Sequence, residues 1–373
     1  MNLSVCIIAK NEEKHIEKCM QCLSDKEVQI VVADTGSTDK TKEIAKKYTE
    51  FVYDFKWIDD FGAAKQFAVS KASNDNILIL DCDEYLQSNK TVLEKLNSML
   101  ENEPRRAGRI KCINVLEDDS KNTDWITRAF NRKYYKVEGK IHEQIVKTDG
   151  EPADTFLSAV VIKHVGYALN DDEKKKKALR NIKLLKKRLA ELEKNFDSDI
   201  TQNNEKEIPY IYYQLGKSYY MEKDYNNACD FFSKGLSFDL EPKLEYVIDM
   251  VETYGYAMLN SGKVQEALSY TSIYDVFGNS ADFKFLMGLI YMKNAMFDEA
   301  VNEFQKAAEY KESRVEGTNS YLAYYNIGVI YECLGNIGKA QEYYKKCNGY
   351  SKAVERLKNG RHGNLMKCRK TGV

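Results

Sequence analysis

The sequence predicts an α/β domain built on a parallel β-sheet, followed by an all-α domain of stacked helix pairs. Two observations predict the first domain: short apolar runs alternate with helical stretches over residues 1–170, and acidic residues follow two of those runs. One observation predicts the second domain: within residues 209–373, four glycines are each followed twelve residues later by an alanine. We expect residues 171–208 to form a connecting helix and a linker between the two domains.

The first two strands are predicted at residues 3–8 and 28–32. Both are apolar runs without alternation, which is typical of strands that are covered on both faces. The first strand leads into the loop 9–13, which reads A-K-N-E-E, and the second leads into Asp34 and the loop that follows it. Ligands of open α/β sheets bind beyond the carboxyl ends of the strands, so both loops are predicted to line a ligand site.

A third buried strand, predicted at residues 77–80, ends in the acidic sequence Asp81-Cys82-Asp83-Glu84. Hard cations such as Mg2+ and Mn2+ prefer carboxylate oxygens and keep positions for substrate phosphates. The pair Asp81 and Asp83 therefore indicates a divalent cation that carries a nucleotide diphosphate. Taken alone, the triplet D-C-D would also fit a solvated acidic turn that binds no metal.

In order and spacing, the three segments A-K-N-E-E, D-T-G-S-T-D and D-C-D resemble the motifs of the inverting family 2 glycosyltransferases. The resemblance covers about the first half of the chain. It implies a Rossmann-like nucleotide-diphospho-sugar transferase domain of the GT-A fold, with Mg2+ or Mn2+ bound by Asp83 and Asp81. It also implies a UDP-sugar donor, for which the contact residues are Ala9, Asn11, Glu12, Asp34, Asp81 and Cys82.

The segment 57–66 resembles the W-x-x-D-F-x-x-A-R-N segment of a bacterial subgroup of that family, with Lys65 and Gln66 in place of Arg and Asn. Lysine supplies charge to a phosphate but lacks the bidentate fork of arginine, so we expect Lys65 to contact the donor's diphosphate with altered geometry. A solvated lysine on an amphipathic helix is the alternative. In a second departure from the family, Thr35 follows Asp34 where many relatives have a second acid.

Farther on, the segments 128–143 and 164–167 resemble the acceptor-side R-x-F-R and G-x-V-H-E sequences and the later H-x-G-Y of the same subgroup. An inverting transfer needs a base for the acceptor's proton and a cation for the departing diphosphate. Glu143 is the candidate base. His142 is the alternative base, because an imidazole with a pKa of about 6.5 also suits proton transfer. His164 is predicted to join Asp83 at the metal, although either histidine would also fit an ordinary buried hydrogen bond.

Composition excludes several classes of protein. The net charge of −1 provides no basic field for nucleic acid. No apolar run reaches the roughly 20 residues that cross a bilayer, and nine scattered cysteines favour reduced thiols, so we expect a cytoplasmic protein. The lysine run 174–177 is predicted to be the solvated face of a helix, with contact to an anionic membrane as the alternative.

The second domain resembles tetratricopeptide repeats, whose period is about 34 residues. Four helix pairs are expected to stack into a solenoid. The second pair is predicted to be the weakest, because Thr271 stands where an aromatic residue is expected. The glycines and alanines that define the four pairs are Gly216, Gly255, Gly288 and Gly328, with Ala228, Ala267, Ala300 and Ala340.

Together, the two domains resemble bacterial family 2 transferases fused to tetratricopeptide repeats, a group that includes glycocin-type peptide glycosyltransferases. The resemblance implies transfer of a hexose or N-acetylhexosamine from a UDP-sugar to a Cys, Ser or Thr of a peptide or protein acceptor that the repeats present. Two alternatives are a lipid-linked or lipopolysaccharide acceptor, and a degenerate transferase that serves as an interaction scaffold. We also expect a homodimer.

Overall fold

The computed structural model describes residues 1–115, 121–166, 171–195 and 202–361. They divide into two compact units whose boundary lies between Lys174 and Lys175. Within the described residues, no helix is both long enough and apolar enough to span a membrane.

The first unit is an α/β domain. Its helices are α1 (Ile16–Gln21), α2 (Thr41–Ala45), α3 (Phe61–Ser70) and α4 (Lys90–Asn102). Its strands are β1 (Leu3–Ala9), β2 (Gln29–Asp34), β3 (Val52–Asp54), β4 (Asn76–Asp81), β5 (Glu84–Leu86), β6 (Ala107–Val115), β7 (Lys121–Asn131), β8 (Tyr135–Glu138), β9 (Gln144–Lys147) and β10 (Thr155–His164).

Eight of these strands form one mixed sheet in the order β3-β2-β1-β4-β7-β6-β10-β5, while β8 and β9 form a separate antiparallel pair. The first four strands of the sheet are parallel, as predicted. The rest of the sheet differs from the prediction, because β7 runs antiparallel to both β4 and β6. The reason is the connection: too few residues separate β6 from β7 for the crossover that parallel neighbours require.

The core lies on both faces of the sheet, because successive side chains of a strand point to opposite faces. In β1, Val5 and Ile7 pack with residues of α1 and α4 on one face. Cys6 packs on the other face with Ala68 of α3 and with β8. This two-sided burial explains why the first strands are uninterrupted apolar runs.

The second unit is helical, and its segments pack in the pairs that the sequence predicted. The α-helices are α5 (Asp171–Asn195), α6 (Gln202–Met221), α7 (Tyr225–Leu236), α8 (Glu245–Asn260), α9 (Tyr274–Phe277), α10 (Ala281–Lys293), α11 (Phe297–Ala308), α12 (Tyr321–Cys333), α13 (Ile337–Lys346) and α14 (Ser351–Arg361). A 3₁₀ helix, Glu266–Ile273, follows α8.

The repeated glycines allow an aromatic ring to cross close to the first helix of each pair. A Cβ atom added at Gly216 would lie 2.5 Å from the ring of Phe232, which leaves no room for any side chain. The same distances are 2.7 Å from Gly288 to Phe304 and 2.5 Å from Gly328 to Tyr344. Glycine at these positions is therefore a packing requirement of the repeat.

The second pair is the irregular one, as its sequence predicted. Its second helix is the 3₁₀ helix, in which residues three apart share a face. The aromatic ring consequently comes one residue earlier than in the other pairs: Tyr270 lies against Gly255, and its hydroxyl donates to the carbonyl oxygen of Val251 at 2.6 Å. Thr271 bonds within its own turn instead, to the carbonyl oxygen of Leu268.

The connection between the units differs in part from the expected helix and linker over 171–208. The expected helix is α5. The expected linker lies partly outside the described residues, but from Gln202 onward the chain is already helical, as the start of α6. Gln, Glu and Lys are good helix formers, which is why a polar stretch expected as linker is helical from Gln202 onward.

Candidate active site

Backbone and side-chain hydrogen bonds join the loop after β1 to the loop after β2. The Asn11 backbone N–H donates to Ser37 Oγ at 3.0 Å, and the Asn11 side-chain oxygen accepts from the backbone N–H of Thr38 at 2.8 Å. The Glu12 backbone N–H donates to Thr41 Oγ1 at 2.7 Å. The predicted donor-contact residues Asn11 and Glu12 thus hold the two loops together at the carboxyl edge of the sheet.

Asp34 lies at the end of β2 and is only 3% exposed. Its Oδ1 atom accepts from the backbone N–H groups of Gly36 and Ser37 at 3.0 and 2.9 Å, whereas its buried Oδ2 atom has no hydrogen-bond partner among the described residues. Buried acceptors normally have a partner, so this oxygen fits a donor group of a ligand. Thr35 donates to the carbonyl oxygen of Ala9 through both its backbone N–H and its hydroxyl, at 2.8 and 3.1 Å.

The three residues of the D-C-D motif have different surroundings. The Cys82 thiol is buried and donates to the carbonyl oxygen of Ile8 at 3.3 Å, and burial raises its pKa well above the ordinary value. Its side chain therefore belongs to the protein interior. The other two side chains have separate partners. Asp81 pairs with the side chains of Lys65 and Arg128, and Asp83 contacts His164.

Asp81 and four other buried or half-buried charged side chains form one connected group of ion pairs. We call this group the ionic cluster, and its members are Lys65, Asp81, Glu84, Arg128 and Glu143. Lys65 Nζ lies 2.7 Å from Asp81 Oδ1 and 2.5 Å from Glu143 Oε1. Arg128 Nη2 lies 2.9 Å from Asp81 Oδ2 and 2.8 Å from Glu84 Oε1. The cluster thus joins the end of β4 to the candidate base through Lys65.

In the ionic cluster, opposite charges act against the effect of burial on the pKa values of Asp81 and Lys65. Burial acts to raise the pKa of Asp81, but Lys65 and Arg128 outweigh it and hold that pKa far below the ordinary range. Burial likewise acts against the charge of Lys65, yet Asp81 and Glu143 raise its pKa. For Glu84, burial is dominant and raises the pKa despite Arg128. Three carboxyl groups thus share two cationic side chains in the ionic cluster.

Lys65 was expected either at the donor's diphosphate or in solvent. The solvated alternative is wrong, because Lys65 is 4% exposed and pairs with Asp81 and Glu143. Helix α3 places it there. Asp60 caps the helix by accepting from the Ala63 N–H at 2.8 Å.

Close packing fixes α3 against the segment that carries Glu143. A Cβ atom at Gly62 would lie 2.5 Å from the carbonyl oxygen of Gly139. The Gln66 side-chain oxygen accepts from the backbone N–H of Val137 at 2.9 Å. Gln66, which replaces the Asn of the resembling segment, therefore ties α3 to β8.

A second constellation lies beside the cluster. His164 Nε2 is 3.3 Å from Asp83 Oδ2, and the carbonyl oxygen of Asp83 accepts from the Val165 N–H at 3.0 Å. A Cβ atom at Gly166 would lie 2.0 Å from Asp83 Oδ2 and 2.6 Å from His164 Nε2, so glycine is needed for the chain to pass here. Tyr167 of the same segment lies outside the described residues.

The metal prediction named Asp81, Asp83 and His164, and the structure brings only the last two together. Both carboxylate oxygens of Asp81 are instead engaged by Lys65 and Arg128. Within the described part of the chain, no three His, Cys, Asp or Glu side chains converge on one metal position. One carboxylate and one imidazole nevertheless fit a cation such as Mn2+ whose other ligands come from substrate phosphates.

Glu143 and His142 follow each other in the connection between β8 and β9. Glu143 is mostly buried and reaches the ionic cluster through Lys65. His142 is half-buried and has a left-handed backbone with φ +53°, a conformation uncommon for a residue other than glycine. Glu143 therefore lies beside Asp81, with which it shares the partner Lys65.

Sequence reasoning missed the partners of Asp81. Arg128 was noted only as the first residue of an acceptor-side motif, and Glu84 only as the residue after D-C-D. A strand-end carboxylate at a buried position needs a cation, and the R-x-F pattern on a later strand was the available signal. Its location could not be read from the sequence, because it depends on β7 lying next to β4.

Residues 4–164 match the family described as glycosyl transferase family 2, and residues 209–242, 281–314 and 321–353 match the tetratricopeptide repeat. This chain carries a family 2 glycosyltransferase domain followed by tetratricopeptide repeats. The predicted family, fold and enzyme class are confirmed. The irregular pair around Gly255 lies outside the matched repeats, which agrees with its 3₁₀ helix.

The chain is similar to several curated proteins. It is 30% identical over 191 residues to the SPbeta prophage-derived glycosyltransferase SunS of Bacillus subtilis, covering 49% of this chain and 44% of SunS. A TPR repeat-containing protein of Synechococcus elongatus is 22% identical over 351 residues, covering 91% of this chain and 73% of that protein. The chain thus spans less than half of SunS and about three quarters of the second relative.

One further relative and one solved structure are also similar to this chain. The lipopolysaccharide core biosynthesis glycosyltransferase LpsC of Rhizobium meliloti is 31% identical over 102 residues, covering 26% of this chain and 37% of LpsC. Among solved structures, TarS 1-349 of S. aureus is 13% identical with a TM-score of 0.35, covering 84% of this chain and 93% of that one.

Proposed function

We propose that this chain transfers a hexose or N-acetylhexosamine from a UDP-sugar to a Cys, Ser or Thr side chain of a peptide or protein, with inversion at the anomeric carbon. The observation that carries the proposal is the placement of Glu143, which Lys65 holds at 2.5 Å beside the strand end that bears Asp81 and Asp83. A candidate base and a candidate diphosphate site thus lie side by side.

The donor side is supported by Asp34 and the joined loops. The Asp34 Oδ2 atom is buried without a partner among the described residues, and an N–H or O–H group of a uridine would satisfy it. Asn11 and Glu12 shape the same edge through their bonds to the loop after β2. We assign Ala9 and Cys82 only backbone contacts, because the Cys82 thiol is bonded inside the protein.

Asp83 and His164 would hold Mg2+ or Mn2+ together with oxygens of the donor's diphosphate. When bound, the cation supplies positive charge to the departing diphosphate. Asp81 has a different task in this proposal: it keeps Lys65 and Arg128 at the strand end, where their charge favours an anionic substrate.

In the reaction, the Glu143 carboxylate takes the proton of the acceptor hydroxyl or thiol while the acceptor oxygen or sulfur bonds to the anomeric carbon. The bond from that carbon to the diphosphate oxygen breaks, and UDP leaves with the electron pair. Lys65 holds the Glu143 carboxylate by an ion pair, so the base is positioned before the acceptor arrives.

A macromolecular acceptor is favoured by the attached repeats, since stacked helix pairs form extended binding surfaces. The similarity to the glycosyltransferase SunS supports glycosyl transfer as the reaction of this chain.

The test is UDP release from a panel of UDP-sugars with Mg2+ or Mn2+, with and without peptides that contain Cys, Ser or Thr. We expect turnover with one donor, stimulation by an acceptor peptide, and loss of turnover in Asp83→Ala. The matched control is Asp25→Ala, which removes an exposed carboxylate paired only with its neighbour Lys26 and should leave turnover unchanged. Equal turnover of the two variants would contradict the proposal, and absence of UDP-sugar binding would favour the scaffold alternative.

A lipopolysaccharide or lipid-linked acceptor is the second candidate, and the likeness to LpsC favours it. The lysines near the start of α5, such as Lys175 and Lys176, are exposed and would face an anionic surface. Cosedimentation with vesicles that contain an anionic lipid distinguishes the two candidates. Salt-sensitive binding that is lost in Lys175→Gln with Lys176→Gln would support this acceptor, whereas no binding would leave the peptide acceptor.

A further inference from the structure

A row of polar residues crosses four neighbouring strands next to the proposed metal position. In the strand registers, Glu84 of β5 pairs with His164 of β10, His164 with Asn114 of β6, and Asn114 with Asn122 of β7. Paired residues on adjacent strands place their side chains on the same face of the sheet. The row therefore places polar side chains of four strands next to one another on one face of the sheet, with His164 second in the row.

Asn114 stands at the centre of this row and is 3% exposed. Its Oδ1 atom lies 2.8 Å from His164 Nδ1. Its Nδ2 atom donates to Asn122 Oδ1 at 2.6 Å and to Asp124 Oδ2 at 2.8 Å.

These partners determine which way the Asn114 amide points. The Asp124 carboxylate only accepts hydrogen bonds, so the NH₂ group of Asn114 must face it and the amide oxygen must face His164. The Cys112 thiol donates to the same oxygen at 3.4 Å, and burial raises the pKa of this thiol, which keeps its proton. Rotating the amide by half a turn would set its oxygen against the Asp124 carboxylate and its NH₂ group against the Cys112 thiol, which donates.

The fixed amide in turn determines the tautomer of His164. Because Asn114 Oδ1 can only accept, His164 Nδ1 must carry the hydrogen in this pair. A neutral imidazole has one N–H, so the lone pair lies on Nε2, the atom that faces Asp83. Nε2 and the Asp83 carboxylate are then both electron-pair donors, and a cation between them would satisfy both. Metal-binding histidines in general need such a partner on the other ring nitrogen.

We propose that Asn114 is a positioning residue that fixes His164 as the Nδ1–H tautomer, so that Nε2 is presented to a divalent cation beside Asp83. The metal in this inference rests on the proposed function, but the tautomer belongs to the protein alone. Asp124 acts one step farther away, by orienting the Asn114 amide.

The first test uses the full-length protein without metal, at a pH at which the ¹⁵N shifts show the His164 imidazole to be neutral. Long-range ¹H–¹⁵N correlation spectra distinguish the two tautomers, and His164→Gln identifies the His164 signals. We expect Nδ1–H in the wild type and loss of this preference in Asn114→Ala. The matched control Asn97→Ala removes another buried asparagine, which bonds to Asn76 away from this row, and should keep the wild-type tautomer.

The second test measures Mn2+ binding in the presence of UDP by electron paramagnetic resonance. We expect Asn114→Ala to weaken binding by roughly 10–100-fold and Asn97→Ala to leave it unchanged. An Nε2–H tautomer in the wild type, or wild-type tautomer and affinity in Asn114→Ala, would overturn the proposal. Absence of Mn2+ binding by the wild type would count against the proposed metal, while the tautomer would still test Asn114.

Reversing the pair keeps the proposal testable if Asn114→Ala does not fold. In the double variant Asn114→Asp with Asp124→Asn, the new amide donates to the new carboxylate, which still accepts from His164. We expect this variant to retain the Nδ1–H tautomer. Asp124→Asn alone removes the carboxylate that orients Asn114, and a mixture of tautomers is expected. A mixture in the double variant but not in the single one would contradict the inference.

Discussion

Each of the two units buries a group of charged side chains, and the two groups are built differently. In the transferase unit, the ionic cluster joins two cations to three carboxyl groups from separate strands, a helix and a connection. In the repeat unit, Arg314 lies in the connection between α11 and α12 and pairs with Asp249 and Glu252 of α8.

The carboxyl groups around Arg314 in the repeat unit have further partners within the protein. Asp249 also accepts from Lys217 at 2.6 Å, and Asp282 of α10 accepts from the backbone N–H groups of Arg314 and Val315 at 2.8 and 3.0 Å. These bonds tie a connection to two helices of neighbouring pairs. Burying charge is costly unless it is paired, and the pairs of the repeat group offset that cost between protein groups. For the transferase cluster, we propose in addition that the Glu143 carboxylate accepts a substrate proton. The predictions below test that contrast.

The largest effect is expected from Glu143→Gln, which keeps the size of the side chain and removes the base. The transfer rate should fall by roughly 10²–10⁴-fold, because a positioned general base contributes about that much. Donor binding should remain, as measured by UDP-sugar titration. The matched control Glu252→Gln alters a buried carboxyl of the repeat unit and should leave the rate unchanged. A rate loss in His142→Gln but not in Glu143→Gln would move the base to His142.

A smaller effect, on stability rather than on turnover, is expected from Arg314→Ala. This change leaves buried carboxyl groups without their cation, which typically costs 3–5 kcal/mol. Asp249 keeps Lys217, so we expect the low end, about 3 kcal/mol of the free energy of unfolding, by urea titration of the repeat unit. Lys306→Ala removes a half-exposed lysine from buried Glu303, which keeps the hydrogen bond from the Tyr274 hydroxyl at 2.7 Å, so it should cost less than Arg314→Ala. Equal losses of unfolding free energy in Arg314→Ala and Lys306→Ala would contradict this prediction.

The smallest effect concerns pH. Burial, with Asp282 and Asp249 nearby, raises the pKa of Glu252 from 4.5 to about 7 despite Arg314. A raised pKa in the folded state means that the stabilising contribution is complete below about pH 4.5 and is lost as the pH rises through about 7. From pH 5 to pH 8, Glu252→Gln should therefore gain stability relative to the wild type, by roughly 1–3 kcal/mol. Parallel stability curves for both proteins would show that Glu252 does not titrate in this range.

Local patterns predicted the strands and the motif positions well, because apolar periodicity and turn residues act within a few residues. The ends of β2 and β4 fall where Asp34 and Asp81 were expected. The contacts of those acids were not predictable in the same way. The burial of Lys65 depends on the β8–β9 pair, and the partner of Asp81 depends on which strand lies beside β4.

In the repeat unit, too, one part of the structure was predictable from the sequence and another part was not. The glycine and alanine spacing predicted the helix pairs, since close crossing leaves a signature in small residues. The replacement of an α-helix by a 3₁₀ helix moved the aromatic contact from position 271 to Tyr270, and a count based on the α-helical period could not show this.

The separate sheet of β8 and β9 has a consequence for how such an enzyme changes over time. Glu143 lies in the connection of a two-stranded sheet that is not hydrogen-bonded into the sheet holding Asp34, Asp81 and Asp83. Helix α3 attaches that small sheet through Gly62 and Gln66. Under the proposed function, substitutions and insertions in this small sheet would alter what approaches Glu143 without disturbing the edge that holds Asp34 and Asp81, so descendants of one enzyme could acquire new acceptors while keeping an old donor.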